Sequence, residues 1–189
     1  MKSIRENKVL ETDINKSRFI CELIKVTDVS EVKDLLDNIK LKYKEANHYC
    51  YAYIINDNRK SSDDGEPGGT AGVPIMDTLN KYDLNNILCV VIRYFGGIKL
   101  GAGGLVRAYR KAVTNTLSTL SFYELIKGYK IILEVNYIDQ KELDYLLKNN
   151  YVKEYTDKVK YTILCDEEIK KELEKRYPIL EIESEIIER

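Results

Sequence analysis

Histidine is almost missing from this chain: His48 is the only one among 189 residues. Cysteine is sparse too. Cys21, Cys50, Cys89 and Cys165 stand singly, with no Cys-x-x-Cys pair. Zinc sites and dithiol redox centres draw on clusters of these two residue types, so no metal, disulfide or cofactor is assigned. Isolated cysteines in apolar, strand-like surroundings read instead as small buried hydrophobes. No apolar run approaches the ~20 residues of a membrane-spanning helix. The opening MKSIRENKVLETD also lacks the apolar core of a signal peptide. A soluble cytoplasmic protein with no membrane partner is therefore expected. Long blocks of one charge, low-complexity segments and internal repeats are absent as well. With 44% hydrophobic and 32% charged residues, the composition is that of a folded globular chain.

What is present divides into two parts. Residues 8–14 and 18–26 read as a strand pair around an Asn15-Lys16-Ser17 turn. Val32, Leu35, Leu36, Ile39 and Tyr43 then recur at helical spacing after the start signal Asp28 and Glu31. Residues 48–55 alternate strictly and place Tyr49, Tyr51 and Tyr53 on one strand face, which reads first as core packing under a helix and second as a stacking platform. Asn56-Asp57-Asn58 reads as a turn into a glycine-rich loop, and Thr70 is a candidate cap for a helix through Ile75 and Leu79. Residues 87–92, continuously apolar and β-branched, predict a central strand covered on both faces. A second glycine-rich segment, 96–104, precedes a helix that buries Leu105, Tyr109, Ala112 and Val113. The pattern then resets. The remainder has the order βαββαβ, a ferredoxin-like plait. The expected fold is α+β with two domains, an N-terminal βαβ domain at 1–125 and the ferredoxin-like domain at 126–189.

Nine of the ten glycines lie between Gly65 and Gly104, before two helices. Amides at a helix N-terminus attract anions, so these loops are candidate phosphate cradles. Neither the P-loop nor the dinucleotide fingerprint is complete in them. The same region concentrates cations: Arg93, Lys99, Arg107, Arg110 and Lys111 fall in a stretch without Asp or Glu, whereas the tail from Asp166 carries nine carboxylates against five basic residues. The cations are equally compatible with phosphate contact and with a solvated helix face. Asp63, Asp64 and Glu66 would suit Mg²⁺ or acid–base work, but beside Gly and Pro they serve equally as turn formers bonded to their own backbone.

The run DDGEPGGTAGVP (Asp63–Pro74) with RYFGGIKLGAGGLVRAY (Arg93–Tyr109) closely resembles the signature of the YigZ/Impact family. KSRFI (Lys16–Ile20) and ANHYCYAY (Ala46–Tyr53) also resemble that family's pattern, the second less closely. The resemblance implies a first domain like domain IV of elongation factor G and a second like its ferredoxin-like domain V. It further implies a role connected to translation, without an established catalytic residue to carry over.

Three functions remain open on these residues. The first is a translation-associated regulator binding RNA, the ribosome or a ribosome-associated protein through Arg93, Lys99, Arg107, Arg110 and Lys111. The motif loops, with Asp63, Asp64, Glu66, Thr70, Gly96, Gly97, Gly101, Gly103 and Gly104, would shape the adjoining surface. The second is an enzyme acting on a phosphorylated small molecule, and the third a protein-interaction module. A narrow pocket joining both glycine loops would favour the enzyme; a broad basic face would favour RNA or the ribosome.

Overall fold

Period-two alternation builds the first sheet in a computed structural model that describes every residue except Asn149 and Arg189, the latter the last residue of the acidic tail. After β1 (Lys2–Ile4), the chain forms β2 (Lys8–Ile14) and β3 (Ser17–Lys25). Helix α1 (Glu31–Lys42), β4 (His48–Ile55), β5 (Asn58–Ser62), α2 (Gly72–Lys81), β6 (Ile87–Tyr94) and α3 (Gly101–Leu117) follow. The strand order is β2-β3-β6-β4-β5, with every pair antiparallel. Because β3 and β4 both oppose β6, they run parallel to each other, and β3-α1-β4 is a βαβ unit split by β6.

The uninterrupted apolar run of β6 lies at the middle of this sheet and is used on both faces. Ile87, Cys89 and Val91 meet α2 and α3 through Ile75, Leu79, Leu105, Tyr109 and Val113. Leu88, Val90 and Ile92 meet Val32 and Ile39 of α1. Each such side chain, fully withdrawn from water, contributes roughly 1.5–3 kcal/mol before entropy is counted. Tyr49, Tyr51 and Tyr53 join the α1 side, so the aromatic face of β4 is core packing.

Two compact units, Met1–Tyr123 and Glu124–Arg189, divide within β7 (Phe122–Val135). The second unit continues with α4 (Gln140–Leu147), β8 (Tyr151–Tyr155), β9 (Val159–Cys165), α5 (Glu167–Arg176) and β10 (Ile179–Glu188). Its strand order, β10-β7-β9-β8, is antiparallel throughout and is that of the ferredoxin-like plait. Ile131, Leu133, Tyr161 and Ile163 pack on Leu143, Leu147 and Leu173 of its two helices. No helix among the described residues is long and apolar enough to cross a membrane.

Two local expectations are corrected, and β1 carried none. Residues 58–62 form the edge strand β5, not loop: Asn-Arg-Lys-Ser-Ser carries no apolar alternation, yet it pairs along β4. β1 is likewise too short to show a period. The segment 96–104 is loop only as far as Leu100, because α3 takes in Gly101, Gly103 and Gly104.

Candidate functional site

The two glycine-rich motifs meet through a buried carboxylate. Glu66, in the loop before α2, lies against Arg93 at the end of β6: Arg93 Nη1 donates to Glu66 Oε1 at 2.6 Å, and their side chains are 6% and 4% exposed. The Tyr109 hydroxyl, from α3, donates to the same oxygen at 2.8 Å. Arg93 is further held between the rings of Phe19 and Phe95, whose centroids lie 5.4 and 5.5 Å from its Cζ. Ser17 accepts from Arg93 Nη2 at 3.5 Å and from the Gly96 amide at 3.2 Å. Gly96 is obligatory at this crossing: a Cβ there would stand 1.8 Å from the Lys16 carbonyl oxygen. Three separate sequence segments are thus pinned at one place.

Cys50 and His48, neighbours in β4, line the other side of this knot. The Cys50 thiol donates to the Asp63 carbonyl at 2.9 Å and lies 3.2 Å from the Tyr109 hydroxyl. Burial pushes its pKa up to about 12, against the lowering effect of Tyr109, so it is no thiolate nucleophile at neutral pH. Burial, with Cys50 and Glu66 beside it, raises the Tyr109 hydroxyl far above its usual range and keeps it a donor. His48 Nδ1 lies 2.9 Å from the Asp64 carbonyl, an acceptor only, so this nitrogen carries the proton; Nε2 stands 3.8 Å from Glu66 Oε2.

Asp63 and Asp64 are spent on backbone. Asp63 accepts from the amides of Gly69 at 2.8 Å, Ala71 at 2.9 Å and Gly72 at 2.8 Å, closing the N-terminus of α2 from eight and nine residues upstream. Burial opposes ionisation there, but the three amide bonds outweigh it and hold the carboxyl below the usual range. Asp64 accepts from the Tyr49 amide at 2.6 Å. Thr70 is not the cap the sequence suggests: its hydroxyl donates back to the Pro67 carbonyl at 2.7 Å. Among the described residues no cluster of three or more His, Cys, Asp or Glu is placed to hold a metal.

The N-terminus of α3 is built the opposite way. Leu100 at its cap position makes no side-chain bond to the helix, and no acidic residue occupies the first turn. Gly101 enters with φ +69°, a conformation that L side chains rarely adopt. Lys99 and Arg107 are exposed beside this open end, and Arg107 folds back so that Nη1 would lie 3.5 Å from a Cβ on Gly103. Lys111 continues the row one turn on. Arg110 does not stand free, since it pairs with Asp77 at 2.9 Å, and Arg93 lies beneath the surface as described. Of the five cations singled out in the sequence, three are therefore displayed without an ion pair among the described residues.

A cleft of about 290 Å³ opens at this end, lined by Glu66 and Pro67 from one loop, Arg93 and Phe95 from β6 and its exit, and the Lys99–Ala102 turn with Leu105. It joins the two glycine-rich loops. Phe95, 46% exposed, gives the site an apolar edge. Sequence reading did not single out Phe95, Ser17 or the Tyr109 hydroxyl. Tyr109 was legible only as a core position of a helix, and nothing in one sequence pairs Ser17 with Gly96.

Comparison with known proteins covers the same region. The family model described as the Impact N-terminal domain matches residues 15–117, which include all the residues of this knot and of the cation row. The Bacillus subtilis IMPACT family member YvyE is 46% identical over 125 residues, 65% of this chain and 58% of that protein. An IMPACT family member of Thermus thermophilus is 32% identical over 139 residues, 74% of this chain and 76% of its own length. A crystal structure of a hypothetical protein superposes with a TM-score of 0.68 at 28% identity, covering 96% of this chain and 97% of the other. With a family model spanning more than half its length and relatives of this similarity, the chain belongs to the YigZ/Impact family.

Proposed function

We propose that this protein is a cytoplasmic, non-catalytic regulator of translation that binds RNA, on or off the ribosome, through the N-terminal end of α3. The observation that carries this reading is the open helix terminus: no side-chain bond from the cap residue, no first-turn carboxylate, and the exposed side chains of Lys99 and Arg107 beside it. Helix amides and dipole favour an anion at such an end, and a positive side chain there is otherwise unfavourable to the helix. Lys111 extends the row along the helix in the manner of a phosphate track, and Phe95 offers a ring on which a base stacks. Its test is direct titration of the full chain with single-stranded RNA and with ribosomes over a range of salt. Affinity falling linearly in log–log form as salt rises supports the reading. Absence of binding to both overturns it.

A second reading is favoured by a specific observation, the cleft that joins the two glycine loops. It would suit a phosphorylated small molecule, with phosphate at α3. An enzyme of that kind wants a metal pair or a free acid and base, and Asp63 and Asp64 are committed to backbone amides. Saturable binding of a mononucleotide without any binding of RNA would put this reading first.

A further inference from the structure

The last strand of the second unit leaves one edge of its sheet open. β10 pairs with β7 and with no other strand among the described residues, so alternate backbone N–H and C=O groups point away from the sheet. Such an edge is a template for another strand unless it is short, bulged or blocked by proline. From Glu181 onward β10 is none of these. The strand runs for ten residues, and after one irregularity between Ile179 and Glu181 its register holds unbroken to Glu188, with no proline inside it. The opposite edge, β8, has only five residues. Residues 180–185 of β10 are exposed without interruption, so side chains on both faces of the strand meet water.

The side chains then define the occupant. Glu181, Glu183 and Glu185 stand opposite Ile132, Lys130 and Gly128 and, at every second position, form one row on one face. Of the three, only Glu183 forms an ion pair among the described residues, with Lys130 at 4.0 Å, and that pair is open to water on both sides. On the other face Ile182 is 43% exposed. A second copy pairing its β10 antiparallel to this one about a two-fold axis would set carboxylates against carboxylates, which is destabilising. Phosphate is repelled for the same reason, so this edge is separate from the RNA-binding reading above. A strand with Lys or Arg at every second position and apolar residues between them suits both faces, because its cations repeat at the same ~6.6–6.8 Å as the carboxylates. We infer that β10 accepts an extended basic segment of a partner protein by strand addition. Backbone bonds supply the affinity, and the row of Glu181, Glu183 and Glu185 selects the charge.

The test adds the labelled peptide Val-Lys-Val-Lys-Val-Lys-Val to the full chain, followed by fluorescence anisotropy and by amide hydrogen exchange along β10. The expected result is saturable binding, slowed exchange of outward-facing amides between Glu181 and Glu188, and no binding of Val-Glu-Val-Glu-Val-Glu-Val. A peptide of the same composition with its lysines contiguous loses the match to the row and should bind more weakly. Glu181→Gln, Glu183→Gln and Glu185→Gln together should weaken the alternating peptide by on the order of tenfold. All three positions are exposed, so the fold is retained. Failure of the alternating peptide to bind overturns the inference, as does equal binding of the contiguous one. Unchanged β10 exchange in the peptide complex, or unaltered affinity in the triple variant, places the peptide elsewhere and overturns it too. Exchange that slows with rising protein concentration and no peptide present would make β10 a self-pairing edge and contradict the charge argument.

Discussion

Both glycine-rich loops of the first unit lead into a helix, and they finish its N-terminus in opposite ways. Before α2 the Asp63 carboxylate returns to take three backbone amides, so the helix end is satisfied from within the fold. Before α3 no side chain among the described residues caps the helix, no carboxylate lies in the first turn, and Lys99 and Arg107 add positive charge where the dipole is already positive. One terminus is finished as structure and the other is left with unmet demand. Similar motif chemistry therefore does not imply similar roles, and the Asp-Asp-Gly-Glu motif acts on the site mainly by holding up its neighbour.

The sharpest way to break this contrast is to remove the carboxylate that joins the loops. Glu66→Ala leaves Arg93 buried without its partner and should destabilise the first unit by about 3–5 kcal/mol, read as a lower urea midpoint. A change below about 1 kcal/mol would mean that the Arg93 charge is satisfied by water or by Ser17, and that the two motifs are not coupled.

Next in size is the closed terminus itself. Asp63→Asn retains one acceptor oxygen but loses the charge and should cost about 1–2 kcal/mol. The pH dependence gives an independent reading. The folded carboxyl of Asp63 is held below its unfolded value, so its contribution is complete above about pH 4 and is lost as pH falls through the depressed folded value. Thermal midpoints of the unaltered protein and Asp63→Asn should therefore converge on acidification from neutrality. A constant gap would contradict the cap.

The open terminus should behave in reverse. Lys99→Ala combined with Arg107→Ala should change stability by no more than about 0.5 kcal/mol, since both side chains are exposed and neither closes an ion pair among the described residues. RNA affinity should fall for every sequence, with the log–log salt slope reduced by about 1.4 if each residue meets one phosphate of a single strand. Arg110→Ala is the smallest change. Its ion pair with Asp77 is half exposed on both sides, so stability should move by under about 1 kcal/mol and the salt slope by less than in the double variant.

How much of this was legible in the residues follows from which interactions have a local signature. The apolar run at 87–92 announced a strand covered on both faces, and α1 and the βαββαβ order were legible because burial imposes a period on the chain. β5 was not, since its pairing rests on backbone groups every residue possesses. Thr70 looked like a helix cap by proximity, whereas the cap came from Asp63, and only the fold of the loop brings that carboxylate to Gly72. Arg93 and Lys99 looked alike as cations in an acid-free stretch; one lies under Phe95 against Glu66 and the other faces water. A charge reads the same in sequence whether it is displayed or consumed, and long-range partners decide which.

The measurement that tests this contrast most directly is a backbone amide NMR titration of the full chain with single-stranded RNA. The account predicts that the amides of Gly101, Ala102 and Gly103 at the start of α3 shift progressively and saturably, while those of Gly69, Ala71 and Gly72, already bonded to Asp63, stay in place. Shifts centred on Gly69–Gly72, or confined to the second unit with α3 unmoved, would contradict it.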